Sequence, residues 1–145
     1  MKVAFGCDHA GYALKEAVVA HLKEMGHEVV DFGCYTPERV DYPAQGEKAA
    51  RAVASGECQL GVLICGTGIG ISLAANRVRG IRAAVCSESY SAELTRRHND
   101  ANMIAFGARV VGEGTACAIL DAFFGALFEG GRHAQRVAML DDIRP

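Results

Sequence analysis

The chain reads as an α/β protein, a single domain in which five parallel strands alternate with helices that cover both faces of the sheet. Three observations predict this. Short apolar runs recur between segments of helical periodicity, which is the βαβ rhythm. The run Gly61-Val62-Leu63-Ile64-Cys65 is apolar throughout, as a parallel strand buried on both faces must be. Finally, 145 residues, half of them apolar, suffice for one core and not for two, so the domain is expected to run over 1–145.

Each element has its own signal. Lys2–Cys7 is the first strand. The first helix, about Gly11–Met25, sets Leu14, Val18, Leu22 and Met25 on one face and Lys15, Lys23 and Glu24 outside, with Gly26 to stop it. Glu28–Asp31 is the second strand, and Phe32–Asp41 the longest irregular stretch. Asp41-Tyr42-Pro43 starts the second helix, with Pro43 in its first turn and Gly56 ending it after Ser55. The third strand, Leu60–Cys65, opens onto a glycine loop followed by a short helix over Ile71–Arg77. Arg82–Cys86 and Met103–Phe106 are the last two strands, with Ser89–Arg97 the helix between them. Glu113–Phe128 is apolar on more than one face through Ala116, Ile119, Leu120, Phe123, Phe124 and Leu127, so it is expected to meet a partner subunit as well as the core. After Gly130-Gly131 a short final helix begins, with Arg132 and Arg136 four residues apart on one face.

Composition excludes several classes of function. A formal net charge of −2 leaves no electrostatic footprint for nucleic acid or an anionic membrane. The start reaches Asp8 too early for a signal peptide, and no apolar stretch approaches the ~18 residues of a membrane span, so a cytoplasmic protein is expected. The 6 cysteines, at 7, 34, 58, 65, 86 and 117, include no Cys-x-x-Cys pair, and reduced thiols are the default. Cys7, Cys65 and Cys86 each end a strand and so share one sheet edge. With Asp8 and His9 they could be imagined around a metal, but they lack the local spacing of a metal site.

The segment with the most chemical content is Cys65-Gly66-Thr67-Gly68-Ile69-Gly70. A thiol at a strand's carboxyl end, facing free backbone N–H groups where a helix begins, sits where anions are stabilised, a thiolate or an oxyanion among them. Taken alone, a cysteine at a strand end is more often packing than chemistry. The loop is not a dinucleotide fingerprint, because Ile71 stands where the third glycine belongs, although Glu88 lies where a ribose-binding acid would fall. Nor is it a Walker loop, since no Gly-Lys-Ser/Thr follows. Two guanidiniums as close as Arg132 and Arg136 suit a shared phosphate, though a solvated helix face has the same spacing.

Six separated motifs carry a more specific signal together than any does singly: Gly6-Cys7-Asp8-His9-Ala10-Gly11, Asp41-Tyr42-Pro43, Cys65–Gly70, Arg97-His98-Asn99-Asp100-Ala101-Asn102, Phe106-Gly107-Ala108-Arg109 and Gly130-Gly131-Arg132-His133. In combination, from the first strand to the last helix, they resemble the type B ribose-5-phosphate isomerases, a family that also includes allose-6-phosphate and galactose-6-phosphate isomerases. The resemblance implies a Rossmann-like three-layer α/β/α fold. It also implies an aldose–ketose isomerase that works through an enediolate without metal or other cofactor.

Carried over position by position, the resemblance makes Cys65 the base between C2 and C1 and His98 the acid that opens the sugar ring. Asp8 would hold the sugar hydroxyls and assist opening. The amides of Gly66, Thr67, Gly68, Ile69 and Gly70, with the Thr67 side chain, would steady the enediolate oxygens, and Asn99 would bind substrate. His9, Arg109, Arg132 and Arg136 would take the phosphate. One branch of the family places a glutamate base directly after the glycine loop. Here that residue is Ile71, so Cys65 alone can serve. A six-carbon sugar phosphate on the same machinery, and a non-catalytic phosphosugar- or nucleotide-binding module that leaves Cys65 idle, are the competing readings.

Chain direction adds one more expectation. His98 and Asn99, placed between the fourth helix and the fifth strand, fall at the amino edge of a parallel sheet, while Cys65 lies at the carboxyl edge. A strand of five residues spans roughly 16 Å, too far for one subunit's histidine to reach. A homodimer with shared active sites, alone or within a tetramer, is therefore expected.

Overall fold

The computed structural model describes residues 1–143 of the 145; the last two lie outside the described range. The elements in order are β1 (Lys2–Cys7), α1 (Tyr12–Glu24), β2 (Glu28–Asp31), α2 (Tyr42–Ala54), β3 (Leu60–Cys65), α3 (Ile69–Ala75), β4 (Ala83–Val85), α4 (Ser89–Asn99), β5 (Met103–Gly107), α5 (Glu113–Gly125) and α6 (Arg132–Asp142). The strands form one parallel sheet in the order β2-β1-β3-β5-β4.

Strand residues alternate between two cores. Val3, Phe5, Cys7, Val62, Ile64, Ile104 and Phe106 face a layer made by α1, α4 and α5, where Val18, Leu22, Ala92, Ile119, Leu120 and Phe123 are buried. Ala4, Leu63, Cys65, Met103 and Ala105 face α2 and α3, through Ala49, Ala50, Val53, Ile71 and Ala75. Small residues let α2 sit close to the sheet: a Cβ on Gly6 would lie 3.2 Å from the Ala49 Cβ. Because β1 feeds a helix on one face and β3 a helix on the other, their adjacent carboxyl ends form the crevice where sheets of this kind bind ligands.

Several expected boundaries shift, for local reasons. The helix after the glycine loop starts at Ile69, not Ile71, because Gly68 at φ 80° turns the chain straight into it. β4 is shorter than Arg82–Cys86, although the Cys86 N–H still reaches the Ala105 carbonyl at 3.0 Å. The fourth helix extends through Asn99 and stops on Asp100, which adopts φ 47°, so His98 and Asn99 occupy its last turn instead of the following connection. The final helix is 11 residues long. Of the expected helix Glu113–Phe128, α5 occupies Glu113–Gly125, and much of its apolar surface is buried within the chain, while Leu127 beyond its end is 79% exposed. Ala116, Ile119, Leu120 and Phe123 are buried, and Phe124 packs on His27 with ring centroids 5.0 Å apart. The exposed apolar side chains near the glycine loop belong to α3, where Ile69 is 54% and Leu73 63% exposed.

Candidate active site

At the carboxyl edge the chain ends of β1, β3 and β5 meet. β1 and β3 are in register through Cys7 and Ile64, and the Asp8 N–H donates to the Ile64 carbonyl at 3.2 Å, which sets Asp8 beside Cys65 on neighbouring strands. Asp8 is buried, and its Oδ1 accepts the Gly11 N–H at 3.0 Å. Gly11 must be glycine, since a Cβ there would stand 2.4 Å from the Ile64 carbonyl oxygen. His9 is half-buried and its Nδ1 is committed to the Val40 backbone, 3.1 Å from the carbonyl oxygen, so Nε2 remains for a ligand.

The loop after β3 turns one of its amides onto the Cys65 sulfur. The Gly68 N–H donates to the Cys65 Sγ at 3.1 Å, and the Ile69 N–H donates to the Thr67 hydroxyl at 3.2 Å. Two neighbours press on this loop. A Cβ on Gly70 would lie 2.7 Å from the Tyr42 ring, and one on Gly66 would lie 3.1 Å from an Arg109 guanidinium nitrogen. Arg109 therefore joins the loop at its outer rim. Asp8, His9, Cys65–Gly70 and Arg109 thus form one cluster.

The other expected residues form a second cluster at the amino edge. The Gly61 N–H donates to the Asn102 carbonyl at 2.9 Å, which places the chain just after α4 at the start of β3, four residues and roughly 13 Å from Cys65. α6 lies along the same edge: Arg82, just before β4, reaches Asp141 at 3.0 Å. The His98 and His133 rings stack at 4.3 Å with an interplanar angle of 7°. Asn99, Arg132 and Arg136 are exposed around them. Within one chain the two clusters stay apart.

Three residues of these clusters carry no separate signal in the sequence. Tyr42 was visible only as part of a helix start, and its ring over Gly70 depends on a fold contact. His133 follows Arg132 in a quoted motif, but its stacking on His98 arises only when α6 crosses α4. Glu129 ties the two helices together: its N–H donates to the Arg97 carbonyl at 3.0 Å, and its carboxylate accepts from the Arg97 guanidinium at 2.6 Å. Glu129 is held below the usual carboxylate range, chiefly by that guanidinium. Burial, together with the charges of His98 and Arg132, pushes His133 down. Glu88 has a structural task, since its carboxylate caps α4 by accepting the Ser91 N–H at 3.0 Å.

The remaining thiols offer little chemistry. Burial, reinforced by Cys34 at 3.7 Å, pushes Cys7 up to about 12, and burial pushes Cys86 up to about 11. The grouping of Cys7, Cys65 and Cys86 around a metal does not form; among the described residues the set of donors compatible with a metal is His98, Glu129 and His133.

Comparison with known proteins extends over nearly the whole chain. A model of the Ribose/Galactose Isomerase family matches residues 3–140. The chain is 58% identical over 142 residues to a ribose-5-phosphate isomerase B of Escherichia coli (strain K12), covering 98% of this chain and 95% of that protein. A galactose-6-phosphate isomerase subunit of Clostridium acetobutylicum is 42% identical over 137 residues, covering 94% of this chain and 79% of that protein. Among solved structures, a ribose-5-phosphate isomerase B from Clostridium thermocellum superposes with a TM-score of 0.96 at 55% identity, over 98% of this chain and 96% of that one. With a family model and relatives that both span nearly its whole length, the chain belongs to the ribose/galactose isomerase family.

Proposed function

We propose that this protein interconverts D-ribose 5-phosphate and D-ribulose 5-phosphate by moving a proton between C2 and C1 through an enediolate. The observation that carries the reading is Cys65 at the crevice, its sulfur held by the Gly68 amide and flanked by Asp8. A thiolate is the reactive form of cysteine, and a positioned base of this kind can take a carbon-bound proton and return it. On this reading the loop amides and the Thr67 hydroxyl donate to the enediolate oxygens as negative charge moves onto them.

Two edges of the sheet then have to serve one sugar. We assign His98 and Asn99 to the site of a second subunit, in a homodimer whose crevices each combine one carboxyl edge with the other chain's amino edge. Exposed Ile69 and Leu73 beside the glycine loop offer an apolar contact for that second chain. In this arrangement His98 protonates the ring oxygen as the C1–O bond breaks, while Asp8 takes the proton of the anomeric hydroxyl, which becomes the open-chain carbonyl. The phosphate lies among His9, Arg109, Arg132 and Arg136. The free cysteines fit a reducing compartment, the cytoplasm.

A second reading, a six-carbon sugar 6-phosphate as substrate, is supported by the galactose-6-phosphate isomerase relative. Initial rates on ribose 5-phosphate, allose 6-phosphate and galactose 6-phosphate, measured side by side with a chelator present, decide between them. The pentose reading expects the highest kcat/KM on ribose 5-phosphate. Higher efficiency on a hexose phosphate selects the second reading, and no turnover on any of the three returns the chain to a binding module.

A further inference from the structure

We propose that His98, Glu129 and His133 form an inhibitory site for a divalent transition-metal ion, zinc above all. The inference rests on the reading of His98 as the ring-opening acid, since it concerns the regulation of the same site. The Glu129 carboxylate is divided in its duties. Its Oε1 is pinned by the Arg97 guanidinium at 2.6 Å, while its Oε2 faces His98 Nε2 at 3.9 Å and His133 Nε2 at 3.7 Å. These separations are too long for hydrogen bonds, and neither imidazole makes a side-chain hydrogen bond among the described residues. Two donors on one tetrahedral zinc stand roughly 3.3–3.5 Å apart, so the carboxylate oxygen is a few tenths of an ångström from ligand spacing with each nitrogen. Binding also turns the His98 ring out of its near-parallel stack on His133, because both in-plane lone pairs must then aim at one ion.

The donors match the ion. Two imidazoles and a carboxylate make the three-ligand set that zinc accepts while keeping one position open to solvent. His133 is 6% exposed and is held by packing on α4, so much of the ordering cost is met by the fold. Arg97 fixes the carboxylate from behind, as outer-shell partners of metal ligands do. Zinc on His98 Nε2 occupies the lone pair that would carry the proton, so turnover stops until a chelator removes the ion.

Calorimetric titration of chelator-stripped protein with zinc chloride tests the site, in the Cys65→Ser background so that the active-site thiol cannot contribute. One ion per chain is expected, with binding weakened at least tenfold by each of Glu129→Gln, His98→Gln and His133→Gln; cobalt(II) should give the intense visible absorption of tetrahedral coordination. If the buried His133 variant misfolds, the two more exposed positions carry the comparison. No stoichiometric binding, or binding that survives the substitutions, overturns the proposal. The titration requires no turnover: zinc binding to the Cys65→Ser protein, together with no turnover of ribose 5-phosphate by the unsubstituted protein, would leave the site standing and remove the functional reading instead.

Discussion

The Gly68 N–H donates to the Cys65 Sγ at 3.1 Å, and the turn that makes this contact depends on Gly68 at φ 80°. A base and its supporting amide are thus joined by one residue's backbone freedom. Cys65→Ser should keep the fold and lower kcat by about 10²–10⁴-fold, the contribution of a positioned general base. Gly68→Ala should damage both stability and rate, because a Cβ there would stand 2.7 Å from the Phe106 backbone. Backbone strain alone costs about 1–3 kcal/mol at such a position. Denaturant unfolding beside initial rates separates the two effects.

A different outcome is expected at Gly66. The atom a Cβ would meet is the Arg109 guanidinium at 3.1 Å, the end of a flexible and exposed side chain. Gly66→Ala should therefore leave the unfolding midpoint nearly unchanged while raising KM for the phosphosugar, as Arg109 is pushed from the rim. Unchanged KM would remove Arg109 from the phosphate site.

How much of this was legible in the sequence follows from which forces are local. The strands and the inner face of α1 follow from apolar patterning, and Leu14, Val18, Leu22 and Met25 pack where their spacing put them. Cys65 and its loop were legible because a strand end, glycines and a helix start are contiguous. Periodicity along α5 reports apolarity and not what covers it; α1 and α4 cover it on two sides. The stack of His98 on His133, and the carboxylate of Glu129 between Arg97 and both rings, depend on α6 crossing α4. No spacing along the chain encodes such a crossing.

Arg132 and Arg136 are exposed on one face of α6. Replacing either with Ala should raise KM for ribose 5-phosphate by about 10–100-fold, since a hydrogen bond to a charged group contributes ~1.5–3 kcal/mol. The circular dichroism spectrum should not change. Affinity unaltered in both variants would make them a solvated helix face.

His27 should give the fold an acid-sensitive step. Its ring packs on Phe124, its Nδ1 is buried without a partner, and burial, assisted by the nearby N-terminal ammonium, pushes its pKa down from 6.5. The unfolded chain then binds the proton more readily than the folded one, so the contribution is complete above pH 6.5 and is lost as pH falls from there through the lower folded value. His27→Leu should flatten the stability profile over that window, read as unfolding midpoints on either side of it. A profile that keeps its slope would assign the acid sensitivity to other groups.

The most direct measurement mixes two inactive proteins. Cys65→Ser and His98→Ala subunits, exchanged and shown to form heterodimers, place an intact Cys65 and an intact His98 at one of the two crevices. With random exchange of equal amounts, activity should return to about a quarter of the wild-type value, because half the dimers are mixed and each holds one whole site. A mixture that stays inactive after confirmed exchange, or a monomer with full activity, would contradict the shared site.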